Sequence, residues 1–149
     1  MAQFVKQLRT SSLPKWAAVV AWMALVFYLS AQSSLPMLSD RFGILQSIAG
    51  HFVEYAILAL LLQWALRGSP SKGNGSGASY AARLAFVIAV TYGLTDEVHQ
   101  HFVPGRAMDP FDLLVDAVGA AAALLVAGLV MGRRAAALLA NERPPIDLP

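Results

Sequence analysis

Four stretches of this chain are apolar for long enough to cross a bilayer, and polar residues gather between and near their ends. A helix crossing a hydrocarbon core of about 30 Å needs about 20 largely apolar residues. No charged residue occurs from Trp16 to Ser39, with Pro14 placed for a first helical turn and Trp16 for the interface. The second stretch runs from Gly43 to Leu66 and is interrupted only by His51 and Glu54. The third begins near Ser79 or Tyr80, yet only 12 uncharged residues separate Arg83 from Asp96. Twelve residues make about 18 Å of helix, too little to cross, so this helix must carry Asp96 and Glu97 into the outer bilayer. The fourth runs from Pro110 to about Met131, with Asp112 and Asp116 in its opening turns. The pattern predicts an all-α polytopic membrane protein with four transmembrane helices, at about 15–35, 44–66, 79–101 and 110–131, forming one membrane domain over 1–149.

The connections differ in kind. Residues 67–78 are rich in Gly and Ser and read as a flexible linker without chemistry. Phe102–Pro110 is compact, with Pro104-Gly105 at its centre, and Asp109-Pro110 fits an N-cap followed by Pro at the first helical position. No internal repeat is evident.

Composition agrees with the pattern. The 149 residues are 57% hydrophobic with a mean hydropathy of +0.56 and 13% charged, where soluble domains carry about 25% charged residues. A soluble chain this short could not hide so much apolar surface. There are no cysteines, which excludes a disulfide framework, a thiolate metal site and a cysteine nucleophile. The net charge of +2 hides a segregation of sign. No basic stripe with interleaved aromatics is present, so a nucleic-acid partner is not expected.

Lys6, Arg9 and Lys15 precede the first span. Arg67, Lys72 and Arg83 flank or occupy the second connection, and Arg133, Arg134 and Arg143 follow the fourth span. Nine of the 11 basic residues thus fall on one side, leaving Arg41 and Arg106 on the other. The positive-inside rule then places both termini in the cytoplasm, with the acidic residues of the spans toward the outer face. The N-terminal segment also resembles a signal peptide, but no clean small-x-small site follows Leu29, and the first span is expected to be retained.

Ionisable residues inside spans are costly and are functional candidates by default. His51 and Glu54, three apart, share a face of the second helix, with Tyr55 beside them. On the third, Asp96 lies three residues before His99 and four before Gln100, and Glu97 lies four before His101. On the fourth, Asp109, Asp112 and Asp116 form one stripe, continued by the small residues Gly119, Ala123 and Ala127, which would let a neighbouring helix approach closely. Glu54, Asp96, Glu97, Asp112 and Asp116 are five carboxylates near one hydrocarbon boundary. Their repulsion requires protonation, pairing with Arg106 or His, or a bridging cation.

His51, Glu54, Asp96, Glu97 and Asp116 form the expected core of a shared site, as catalytic candidates should the site be catalytic. Arg106, Gln100 and Tyr55 are candidates for binding a substrate. A divalent metal would draw on His51, Glu54, Asp96, Glu97, His99, Asp112 and Asp116. Plainer readings stand beside these. Asp109 reads as a cap, Asp112 as a favourable charge at a helix N-terminus, His101 as a solvated loop residue, and Arg106 as a counter-charge. The whole cluster could also be a polar clamp between helices. Trp16, Trp22, Phe27, Tyr28 and Trp64 read as lipid-facing or interfacial anchors.

The same residues resemble the VanZ-like family of small bacterial membrane proteins. The resemblance rests on four blocks in order: Ser33-Ser34-Leu35-Pro36; His51-Phe52-Val53-Glu54-Tyr55; Asp96-Glu97-Val98-His99-Gln100-His101-Phe102-Val103-Pro104-Gly105-Arg106; and Asp112-x3-Asp116-x2-Gly119. Asn is common in the family at the position of Asp116, which weakens any need for charge there. The resemblance implies a cell-envelope role linked to antibiotic resistance, namely low-level resistance to teicoplanin. Its partner would be a lipid-linked cell-wall precursor or a phospholipid headgroup. The alternatives are a metal-assisted hydrolase or transferase on such a lipid, and a proton- or ion-coupled transporter. Against transport, a short four-span chain shows neither an inverted repeat nor a broken helix, an objection that an oligomer would meet.

Overall fold

The structure, a computed structural model, describes residues 12–33, 43–67 and 76–141. These form four helices: α1 (Leu13–Ser30), α2 (Gly43–Leu66), α3 (Ser76–Gln100) and α4 (Pro110–Asn141). No strand occurs among the described residues. Each helix is long and apolar enough to cross a membrane, and the fold is an all-α polytopic bundle. Large apolar side chains such as Val20, Leu60, Val87, Leu125 and Leu129 are exposed on its outer surface, as expected where lipid replaces water as solvent.

The helix bounds differ from the expected spans at two points. Helix α1 stops at Ser30, five residues short of the expected end, and closes with Ala31 N donating to Phe27 O and Gln32 N to Leu29 O. Ser33 is the last described residue there, so Ser34, Leu35 and Pro36 of the first sequence block lie outside the described residues. Helix α4 continues ten residues beyond Met131, because Ala135, Ala136, Ala137, Leu138, Leu139 and Ala140 are strong helix formers. Its 32 residues span about 48 Å, so the last turns extend past the hydrocarbon. Most of the expected linker lies outside the described residues, and its end, from Ser76, is already helical.

Helix α2 is central, packing on α4 most extensively and also on α3 and α1. The shared core is built from Tyr55, Leu58, Ala59 and Leu62 of α2, with Val19 and Val26, Ala85 and Ala89, and Ala120 and Leu124 from the others. Its many alanines let the backbones approach, which matters where no hydrophobic effect drives helices together. Among the described glycines the tightest contact is at Gly119, where an added Cβ would collide with the Phe52 carbonyl oxygen. Beyond that crossing the small residues Ala123 and Ala127 do not continue the contact; they line an open apolar groove between α2 and α4.

Helix α1 is seated by two side chains that reach main-chain oxygens. The Trp22 indole donates to Glu54 O at 2.9 Å, and the Tyr92 hydroxyl of α3 donates to Met23 O at 2.6 Å. Trp22 is therefore an internal tie and not a lipid-facing anchor. Trp16, Phe27, Tyr28 and Trp64 are exposed on the surface as expected.

At one end of the bundle Lys15 donates to Arg67 O at 3.1 Å and stands 5.6 Å from the Trp64 ring centre. Arg67 reaches the Met131 sulfur at the same end. The starts and ends of the helices that carry His51, Asp96 and Asp112 meet at the opposite end, where the acidic residues of the spans collect.

Candidate functional site

The polar end is organised around His51, which is buried on α2. Asp112 and Asp116, one turn apart on α4, flank its imidazole. Nδ1 lies 3.0 Å from Asp116 Oδ1, and Nε2 lies 3.7 Å from Asp112 Oδ2. The first is a hydrogen bond; the second is too long to be one. Asp116 is fully buried, and Gly93 of α3 makes room for it, since a Cβ there would sit 2.9 Å from Asp116 Oδ2.

Glu97 enters from α3 and is also fully buried. Its Oε2 accepts the backbone N–H of Asp109 at 2.8 Å, and Asp109 Oδ1 in turn accepts the N–H of Phe111 at 2.8 Å. Asp109 is thus the cap of α4, as its place before Pro110 suggested. This relay fixes the start of α4 against the end of α3. It brings a Glu97 oxygen, a His51 nitrogen and an Asp112 oxygen within 4.8 Å of one another.

Beside this group lies a cavity of about 470 Å³, lined by His51, Glu54, Asp96, Gln100 and Arg106, with Ser30 from α1. Gln100 Nε2 donates to Asp96 Oδ2 at 3.2 Å. The turn after α3 closes through Phe102 N to His99 O, Val103 N to Gln100 O and Arg106 N to Val103 O. Gly105, at φ +80°, supplies the left-handed residue that this turn needs. Arg106 Nε then donates to Gln32 O at 3.1 Å, fastening the turn to the end of α1.

The expected residues therefore divide. His51, Glu97, Asp112 and Asp116 form one group; Glu54, Asp96, Gln100 and Arg106 line the cavity; His51 belongs to both. Four buried oxygens here have no hydrogen-bond partner: Tyr55 Oη, Asp96 Oδ1, Glu97 Oε1 and Asp116 Oδ2. Buried polar groups without partners are rare in folded proteins.

Two candidates, His99 and Tyr55, sit outside both groups. His99 stacks on Phe27 of α1 with ring centres 4.2 Å apart and is not among the donors gathered with His51, Glu97 and Asp112. Tyr55 is fully buried in the core, 6.4 Å from the Tyr92 ring, and is not part of the cavity lining, so it supports the site from behind. Arg106 binds a main-chain oxygen, not a carboxylate; among the described residues the ion pairs of the carboxylates are those with His51. His101 is exposed, edge-on to Phe102, as a loop histidine should be.

Sequence reasoning missed that Gln46, Ser47 and Gly50 also line the cavity. The signal was present: positions 46, 47, 50, 51 and 54 follow the helical period and make one polar stripe.

Four helices long and apolar enough to span a bilayer, with buried ionisable groups from three of them gathered at one end, define a multi-pass membrane protein. The chain matches the family described as VanZ/LLP1 over residues 15–131, and it belongs to that family. No curated protein and no solved structure matches it.

Proposed function

We propose that this protein works in the bacterial cytoplasmic membrane, with both termini in the cytoplasm and the polar end of the bundle at the outer face. There it binds the headgroup of a lipid-linked cell-wall precursor and alters susceptibility to teicoplanin-type glycopeptides. The orientation rests on the basic residues of the sequence, nine of 11 of which belong to the segments before the first span, around the second connection and after the fourth span.

The observation that carries the binding role is the cavity between Glu54, Asp96, Gln100 and Arg106. Its size is within the few hundred Å³ usual for a small-molecule site. It combines a guanidinium with carboxylates and an amide. A pyrophosphate-linked sugar has matching groups: phosphate oxygens for Arg106, hydroxyls and amides for Glu54, Asp96 and Gln100. The Oδ1 atom of Asp96, buried and unpartnered, is an acceptor available to such a donor.

The test has two arms. In a glycopeptide-susceptible host, expression of the chain should raise the inhibitory concentration of teicoplanin, and Arg106→Ala or Asp96→Ala should abolish the rise at equal protein level. In detergent, purified protein should bind a pyrophosphate-bearing polyprenyl lipid, with loss in the same variants. Folded protein that binds no such lipid overturns the proposal.

A further inference from the structure

One observation goes beyond the headgroup reading and stands without it: the side chains around His51 have the arrangement of a metal centre. His51 Nδ1 is engaged by the Asp116 carboxylate at 3.0 Å. With the proton on Nδ1, the Nε2 lone pair faces the other way, toward Asp112 Oδ2 at 3.7 Å. That separation is too long for a hydrogen bond and close to the spacing of two atoms that share one cation. Ligand atoms around a tetrahedral ion, each about 2.1 Å from it, stand about 3.4 Å apart.

The third donor is independent of α2 and α4. Glu97, fully buried on α3, has one oxygen held by Asp109 N and the other, Oε1, without a partner. Its carboxylate comes within 4.8 Å of the donors of both His51 and Asp112. A fully buried carboxylate that has an unused oxygen and stands this close to a histidine and a second carboxylate calls for a proton or a cation. Arg106 is engaged with Gln32 O.

We infer that His51 Nε2, Glu97 and Asp112 together bind a divalent cation, with Asp116 holding the imidazole in the tautomer that binding needs. The carboxylate–histidine–metal chain is a common way to orient a ligating imidazole. One imidazole with two carboxylates suits zinc or manganese, while magnesium favours oxygen ligands alone. Three protein ligands leave a coordination position for water or for an anionic oxygen. Three helices each supply one ligand, so the ion also closes the polar end of the bundle. Glu54, Asp96 and His99, which the sequence made equal candidates, are outside this set.

The test uses the full chain in detergent, stripped by a chelator and then titrated with Zn²⁺ and, separately, Mn²⁺. Binding is read by calorimetry and by metal content after desalting, with Co²⁺ absorption reporting a coordinated imidazole. Wild type should bind about one ion per chain. Asp116→Asn should weaken binding about 10–100-fold without abolishing it. Glu97→Gln and Asp112→Asn should weaken it further, and His101→Ala, at an exposed histidine, should leave it unchanged. Circular dichroism and gel filtration report folding; should Glu97→Gln misfold, Asp112→Asn, at a side chain 19% exposed, decides. Binding undiminished in Asp112→Asn, binding lost in His101→Ala instead, or no stoichiometric binding of either ion overturns the inference.

Discussion

His51 Nδ1 lies 3.0 Å from Asp116 Oδ1, and this buried contact ties α2 to α4 at the polar end of the bundle. Removing one partner of such a buried pair strands the other. His51→Leu should therefore destabilise the bundle by about 3–5 kcal/mol, and the double variant His51→Leu/Asp116→Leu by clearly less than the sum of the two single changes. Reversible unfolding in mixed micelles, run as a double-mutant cycle, measures both. Additive losses would show that the two residues are energetically separate.

Gly119 should tolerate no side chain. An added Cβ meets the Phe52 carbonyl oxygen, which is backbone and cannot swing aside. Gly119→Ala should cost about 1–3 kcal/mol by forcing α2 and α4 apart. Gly128→Ala, on the same helix with nothing within 4 Å of the new methyl, should be neutral or slightly stabilising. The same unfolding assay compares them.

The start of α4 depends on Asp109. Asp109→Ala removes the acceptor of Phe111 N and should cost about 1 kcal/mol, the usual worth of an N-cap. Asp109→Asn or Asp109→Ser should retain most of it. Thermal denaturation separates the three variants.

Orientation can be read directly because the chain has no cysteines. Single cysteines at exposed His101 and Phe102 should react with a membrane-impermeant maleimide on intact cells. Cysteines at Gly77 and Asn141, both exposed, should react only after permeabilisation. The opposite pattern would invert the proposed topology.

The sequence carried the large features because they follow from single-helix periodicity. Four apolar runs gave four helices, and the spacing of Asp109, Asp112 and Asp116 placed a cap, a half-buried acid and a buried acid on one stripe. What it withheld depends on how helices turn toward each other. Asp96 and His99 are three residues apart, yet His99 packs on Phe27 of α1 while Asp96 enters the cavity. Glu97 and Asp96 are neighbours in sequence, but only Glu97 meets the backbone of Asp109, 12 positions along the chain. The division of one acidic cluster into a histidine-centred group and a cavity follows from these rotations. The extension of α4 past Met131 was missed for a simpler reason: a hydrocarbon thickness limits a span, not the helix that contains it.

Trp22 and Tyr92 hold α1 through main-chain oxygens, at Glu54 and Met23. A carbonyl is present whichever side chain that position carries. Evolution can therefore rewrite the acceptor positions freely while the indole and the phenol keep their grip. The seating of α1 should leave no paired substitutions between helices, only two solitary aromatics.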